Sequence, residues 1–389
     1  TTSSGDITGL ATVNAGSGAV TLNAAGAIVD DSDASTVVTG GVLTADAAGA
    51  ITIDSTVTSA DISTSAAGAI ALDETDGITL TDLDTTDGSI TVSAGGALTA
   101  TDVVAGGGTG DSVTLSTTTG GAVATLVTGA DAVSITADAG DITIGAVTAT
   151  AGTLGVTATT GSINDAADDS TADFTAGGLI TLTAQDEIGV LGSGTDTDLE
   201  FAASSSVNVS TTGTGAIDLD GLGALTLSDV DTADGTITVT SGGALTVTDV
   251  ATGNNNAIAL TTSSGDITGL ATVNAGSGTV TLNSAGAIVD DSDASTVVTG
   301  GLLTADAAGA ITIDSTVASA DISTSAAGAI ALDETDGITL TDLDTTDGSI
   351  TVVAGGSIVA TAVDSADAGS DETHAVSLTA STGDITIGA

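Results

Sequence analysis

A block of about one hundred residues occurs twice in this chain, and that repetition limits the available folds more than any other feature does. Residues 1–103 return as 261–363 with only nine differences, such as Ala19/Thr279, Thr58/Ala318 and Asp102/Ala362. Beyond 363 the copies part, yet AVSLTASTGDITIGA from Ala375 matches AVSITADAGDITIGA from Ala132 at an offset of 243 instead of 260. A third echo relates 215–250 to 68–103. Units of nearly twenty residues have been gained and lost without destroying the pattern, which a one-dimensional stack of modules tolerates. The expected organisation is one continuous array over 1–389, with 1–260 as a first long repeat and 261–389 as a partial second copy. Thr1 opens inside one repeat and the last residues close inside another, so a cut-out of a longer chain is expected, with any secretion signal or anchor outside it.

The small unit opens on a strand-like triplet: Val20-Thr21-Leu22, Ile90-Thr91-Val92, Val113-Thr114-Leu115, Val133-Ser134-Ile135 and Val280-Thr281-Leu282. Neighbouring triplets lie about 20 to 23 residues apart. A second short strand follows a glycine, as in Gly140-Asp141-Ile142-Thr143-Ile144. These segments are β-branched, alternate with period two and are broken by Gly, Asp, Asn and Ser, so no helical stripe persists. A unit this short cannot bury its apolar side alone and must stack on copies of itself. The fold expected is all-β: a parallel β-solenoid of about 18 coils of roughly 20–22 residues, each ~4.8 Å above the last. Ile90 and Val92 should point inward and Thr91 outward. An array of antiparallel sandwiches would need domains of about 100 residues joined by linkers, and no linker-like shift in composition exists.

Composition then decides what such a stack can do. The chain carries 51 Asp and Glu, one His and no Lys or Arg, a formal charge of -51, so no salt bridge of any kind is expected within it. Chains so charged are often disordered. Here, however, 41% of residues are hydrophobic and arrive as short Val, Ile and Leu clusters, which allows a core in thin slices. No run approaches the ~18 apolar residues of a membrane span. With about one negative charge per ~1.7 Å of stack, the density of duplex DNA, cations are necessary partners and nucleic acid is excluded. Disulfides and exposed aromatic platforms are excluded too, since Cys, Trp and Tyr are absent and only Phe174 and Phe201 are aromatic.

Most Asp read as corner residues, whose short carboxylates bond nearby backbone N–H groups. A sharper reading applies to three clusters: Asp30, Asp31 and Asp33 in VDDSDAS, their repeat Asp290, Asp291 and Asp293, and Asp165, Asp168 and Asp169. Oxygen-rich loops of this kind suit Ca²⁺, although neither an EF-hand loop nor a GGxGxDxux repeat is present. Paired carboxylates such as Asp82 and Asp84 raise the question of glycoside hydrolysis, but no Arg, Lys, Tyr or Trp could clamp or stack a sugar, so no enzyme is expected. His374 reads as an exposed turn residue, and Asn254-Asn255-Asn256 as a turn or an Asn ladder. Outward Thr could form a water-ordering array, but their spacing does not look to hold register over many coils, which argues against ice binding.

The repeats GSITVSAGGALTATDV, GDITIGAVTATAG and TTTGGAVATL resemble those of filamentous-haemagglutinin-like and "beta strand repeat" giant surface proteins of bacteria. That resemblance implies secretion, a right-handed β-helix and a role as adhesin shaft or surface filament; the lack of Lys and Arg departs from typical haemagglutinins. The function expected is therefore structural: a rod or fibre-forming segment at the cell surface or in a secreted matrix, associating with itself end to end or side by side. The alternative is an adhesin module that grips other cells, surfaces or polysaccharide through calcium.

Overall fold

The computed structural model describes residues 1–33, 37–167, 169–189, 198–295, 297–365 and 374–388. It divides into two compact units, Thr1–Leu199 and Glu200–Ala389, a division distinct from the 260/261 point where the long repeat restarts. Both are parallel β-solenoids.

In the first unit, Ile28, Ile51, Ile70, Ile90, Val113, Val133, Leu154 and Ile180 are successive ladder partners, so one inward column of β-branched and Leu side chains crosses eight coils. A second column runs Ala45, Ile62, Leu83, Val103, Val127, Val147 and Phe174. The second unit repeats the scheme with Leu225, Leu245, Ile267, Ile288, Ile311, Ile330, Ile350 and Val376. Every pairing described is parallel, which excludes the antiparallel sandwich. Ile90 and Val92 are buried and Thr91 is exposed, as period two demands.

Each buried Ile, Leu or Val contributes roughly 1.5–3 kcal/mol, while ordering each residue's backbone costs about 1–2 kcal/mol. A coil with half a dozen such residues therefore holds only when its neighbours cover it. Inward Thr residues at coil corners are satisfied locally: Thr232 Oγ1 donates to Gly235 O at 2.7 Å and Thr345 Oγ1 to Gly348 O at 2.7 Å, because a buried hydroxyl without a partner is costly. In the GDIT motif Gly140 lies at φ +85°, and a Cβ there would approach Gly121 N to 2.9 Å. Only glycine fits that corner.

Among the described residues about 16 turns are formed, slightly fewer than the 18 expected. Coil length is less uniform than the triplets suggest. Successive column members Ile51 and Ile70 are 19 residues apart, whereas Leu154 and Ile180 are 26 apart because eight residues intervene between the strands Ile163–Asp165 and Phe174–Ala176. Asn254 and Asn255 take left-handed φ in a short 3-10 turn, Gly253–Asn255. Asn256 Nδ2 donates to Asp234 Oδ1 at 2.9 Å. The turn reading stands, and what Asn256 meets in the coil below is an Asp, not an Asn.

One consequence is testable. Ile90, Leu98 and Val103 pair with Val113, Ala122 and Val127, which in turn pair with Val133, Ile142 and Val147. In the second of these steps all three columns advance by the same 20 residues, so deleting Val113–Ala132 should close Ile90 directly onto Val133 and leave a folded chain. Circular dichroism should show the same strand signature and a melt still cooperative, lower by only a few °C.

Candidate functional site

The acidic loops fold first as turns. Asp30 Oδ1 accepts from Ser32 N at 3.0 Å and Asp31 Oδ1 from Asp33 N at 3.1 Å, with Ser32 at φ +61°. The second copy repeats this: Asp290 Oδ1 accepts from Ser292 N at 3.0 Å and Asp291 Oδ1 from Asp293 N at 2.9 Å. Asp293 Oδ1 also takes both Ser295 N and Ser295 Oγ, and these two bonds hold its carboxyl below the usual range.

Stacking then brings in carboxylates that the linear sequence separates. Asp54 of the Ile51–Ala67 strand pairs in register with Asp73 of the next coil. Burial pushes the Asp54 carboxyl up, and the charges of Asp30, Asp73, Asp31 and Asp33 add to it. The duplicate does the same at Asp314, raised by burial and then by Asp290, Asp333 and Asp291. A shallow cleft of about 310 Å³ lies between Asp54, Asp73, Glu74 and Ser93. Asp30, Asp31, Asp33 and Asp73 lie close enough to act on Asp54 by charge, but among the described residues no three of these carboxylates come within ligating distance of one another.

The third predicted cluster is rearranged. Asp165 occupies an inward position, partnered with Ile144, and is buried. Burial raises its carboxyl, opposed by the Ala167 N–H at 2.9 Å. Its side-chain hydrogen-bond partner is the buried Asp173, which sequence reading missed. Asp169 stays exposed, accepting from Thr171 N at 2.7 Å and Thr171 Oγ1 at 2.6 Å, and these bonds lower its carboxyl. Asp168 lies outside the described residues.

No family model, curated protein or solved structure matches this chain. Function must therefore be argued from the residues themselves.

Three features escaped the sequence or contradict it. Glu74 and Glu334, two of only five Glu, are each 1% exposed. Glu74 Oε2 accepts from Ser55 Oγ at 2.6 Å and Val57 N at 2.9 Å, and Oε1 from Asp76 N at 3.2 Å. Glu334 repeats all three bonds with Ser315, Val317 and Asp336 at 2.7, 3.0 and 3.1 Å. Burial raises the Glu334 carboxyl against the pull of these donors. The carboxylate fills the place of a ladder acceptor where the long strand leaves one neighbour for another.

His374 is not an exposed turn residue. Its side chain is 14% exposed and Nε2 sits 2.7 Å from Asp347 Oδ1, one coil below. When protonated it forms an ion pair, so the expectation of a chain without salt bridges holds only for the neutral imidazole. Hydroxyl residues also hold register, against expectation: Ser93, Ser116, Thr136, Thr157 and Thr183 are successive partners, as are Thr91, Thr114, Ser134, Gly155 and Thr181, a column that Gly155 interrupts. Over those five coils this strip bears no carboxylate.

In the second unit, Asp231 is pushed up to about 6, chiefly by burial and then by Asp229, which also hydrogen-bonds it, and by Asp249. No helix among the described residues is long and apolar enough to cross a membrane.

Proposed function

We propose that this chain is a structural, non-enzymatic segment of an extracellular fibre or surface filament, of the filamentous-haemagglutinin-like kind that its repeats resemble. The observation that carries the reading is the inward ladder column in each unit, in which each interior coil is both supported and supporting. Such a stack gains stability and length together by adding coils, which suits a scaffold. Its outer surface, acidic and without a cation, keeps neighbouring copies apart and draws counterions.

Immunogold labelling of intact producer cells with antibodies to this segment tests it. Gold should decorate material extending from the cell surface, and label confined to the cell interior would sink the proposal. A second reading, adhesion through calcium, rests on the exposed acidic turns at Asp30, Asp31 and Asp33 and their repeat at Asp290, Asp291 and Asp293. EDTA that frees cells from a surface while leaving fibres intact would support it; dissolved fibres would make calcium a structural cement.

A further inference from the structure

The longest strands of the chain, Ile51–Ala67 and its duplicate Ile311–Ala327, have 17 residues each and run along parts of several neighbouring strands. Each carries two Asp on its outer side, and each of those meets another Asp directly across the ladder. The pairs are Asp54 with Asp73, Asp61 with Asp82, Asp314 with Asp333, and Asp321 with Asp342. Like charges directly opposite on neighbouring strands oppose pairing, and this chain has no Lys or Arg to place between them.

We propose that these two strands are pH-gated seams: protonating the in-register Asp pairs closes the strand against the next coil, and ionising them loosens it. The inference goes beyond a scaffold role and stands whether or not the chain is a shaft.

The groups facing the seams are acidic apart from His374, whose Nε2 sits 2.7 Å from Asp347 where Asp347 stands opposite Ala327. Toward Asp54 lie Asp30, with Asp31 and Asp33 of the following loop, and Asp73 from the coil above. Toward Asp61 lie Asp46 from the coil below and Asp82 from above. Asp84 joins through Asp82, Asp102 and Asp61. Asp87 stands opposite Ala67 at the strand's end, and Glu74 reaches the strand from the inner side. In the duplicate, Asp290, Asp291 and Asp333 face Asp314, and Asp342, Asp306 and Asp344 face Asp321.

The sign follows from linkage. Asp54, Asp61, Asp314 and Asp321 are all raised above the ordinary 3.8, first by burial and then by their acidic neighbours. A carboxyl raised in the folded state contributes stability that is full below its unfolded value and is lost as pH rises through its folded value. The seams therefore tighten in mild acid, opposite to the usual course of acid denaturation.

The test compares thermal melts between pH 4 and 8.5 in low-salt buffer with EDTA, a window that begins near the unfolded carboxylate value, where the raised seam groups start to ionise. The seam variant carries Asp54→Asn, Asp61→Asn, Asp314→Asn and Asp321→Asn. The control variant carries Asp138→Asn, Asp186→Asn, Glu187→Gln and Asp384→Asn, which removes the same charge from exposed positions. The unmodified chain and the control should lose Tm in parallel as pH rises, while the seam variant should flatten and melt on the order of 5 °C higher at pH 8.5. Equal slopes in all three, or equal flattening in both variants, would overturn the proposal. Hydrogen exchange on the unmodified chain is a second measurement. Corrected for intrinsic rates, protection of 51–67 and 311–327 should fall with rising pH more than that of 133–158, and a uniform change would count against the seams.

Discussion

Ile142→Asp should remove on the order of 5 kcal/mol or more of stability, while Thr143→Asp, one residue along, should change it by less than about 1 kcal/mol. Ile142 is fully buried between Ala122 of the coil below and Ile163 of the coil above. A carboxylate there has no Lys or Arg to meet, since the chain has neither, and it would be ionised among aliphatic groups or carry a proton at neutral pH. Thr143 belongs to the opposite parity and points outward, where the chain already bears many carboxylates. Guanidinium denaturation of both variants reads the difference directly, and comparable losses would mean that the inward and outward faces are misassigned. Asp165 shows why an inward Asp survives at its own position: it has the Ala167 N–H and the Asp173 side chain to bond, whereas the ladder partners of Ile142 are the aliphatic Ala122 and Ile163.

The second large effect is expected at the buried glutamates. Glu334→Ala removes one acceptor group from three donors at once, Ser315 Oγ, Val317 N and Asp336 N. A buried donor left without an acceptor costs roughly 1–3 kcal/mol, so a loss of about 3–5 kcal/mol is expected, and Glu74→Ala should match it. Glu334→Gln keeps the shape and one oxygen but turns an amide N–H toward a donor, and should fall between alanine and the unmodified chain. Denaturation midpoints of the three variants check the order, and an alanine variant as stable as the parent would reduce the carboxylate to an incidental occupant. Because Glu334 is raised by burial, its own contribution follows the same sign as the seams, fuller toward acid.

Much of this architecture was legible because period two and a fixed spacing both survive in plain sequence. Ile90, Val113 and Val133 announce their column through identical V/I-x-L/V/I triplets, and the structure stacks them in that register. The coil count fell short where a loop lengthens a turn, as between Leu154 and Ile180, since triplets mark strands and not the chain between them. Glu74 could have been found: in Ile70-Ala71-Leu72-Asp73-Glu74 it shares parity with Ile70 and Leu72, and parity predicts an inward side chain. The hydroxyl register was missed because Thr from different faces were compared together. The Asp54–Asp73 pair and the His374–Asp347 contact depend on which residue lies one coil away, 19 and 27 positions along the chain. Local sequence does not hold that distance when coil length varies.

The ladder bonds that join one coil to the next point along the direction of stacking, so a pull applied along that direction strains them one row at a time. A coil of about 20 residues that occupies ~4.8 Å in the stack releases up to ~70 Å of chain once peeled away. Under tension the material should lengthen in many small, similar steps, absorbing load as a shock absorber does instead of snapping at a single threshold.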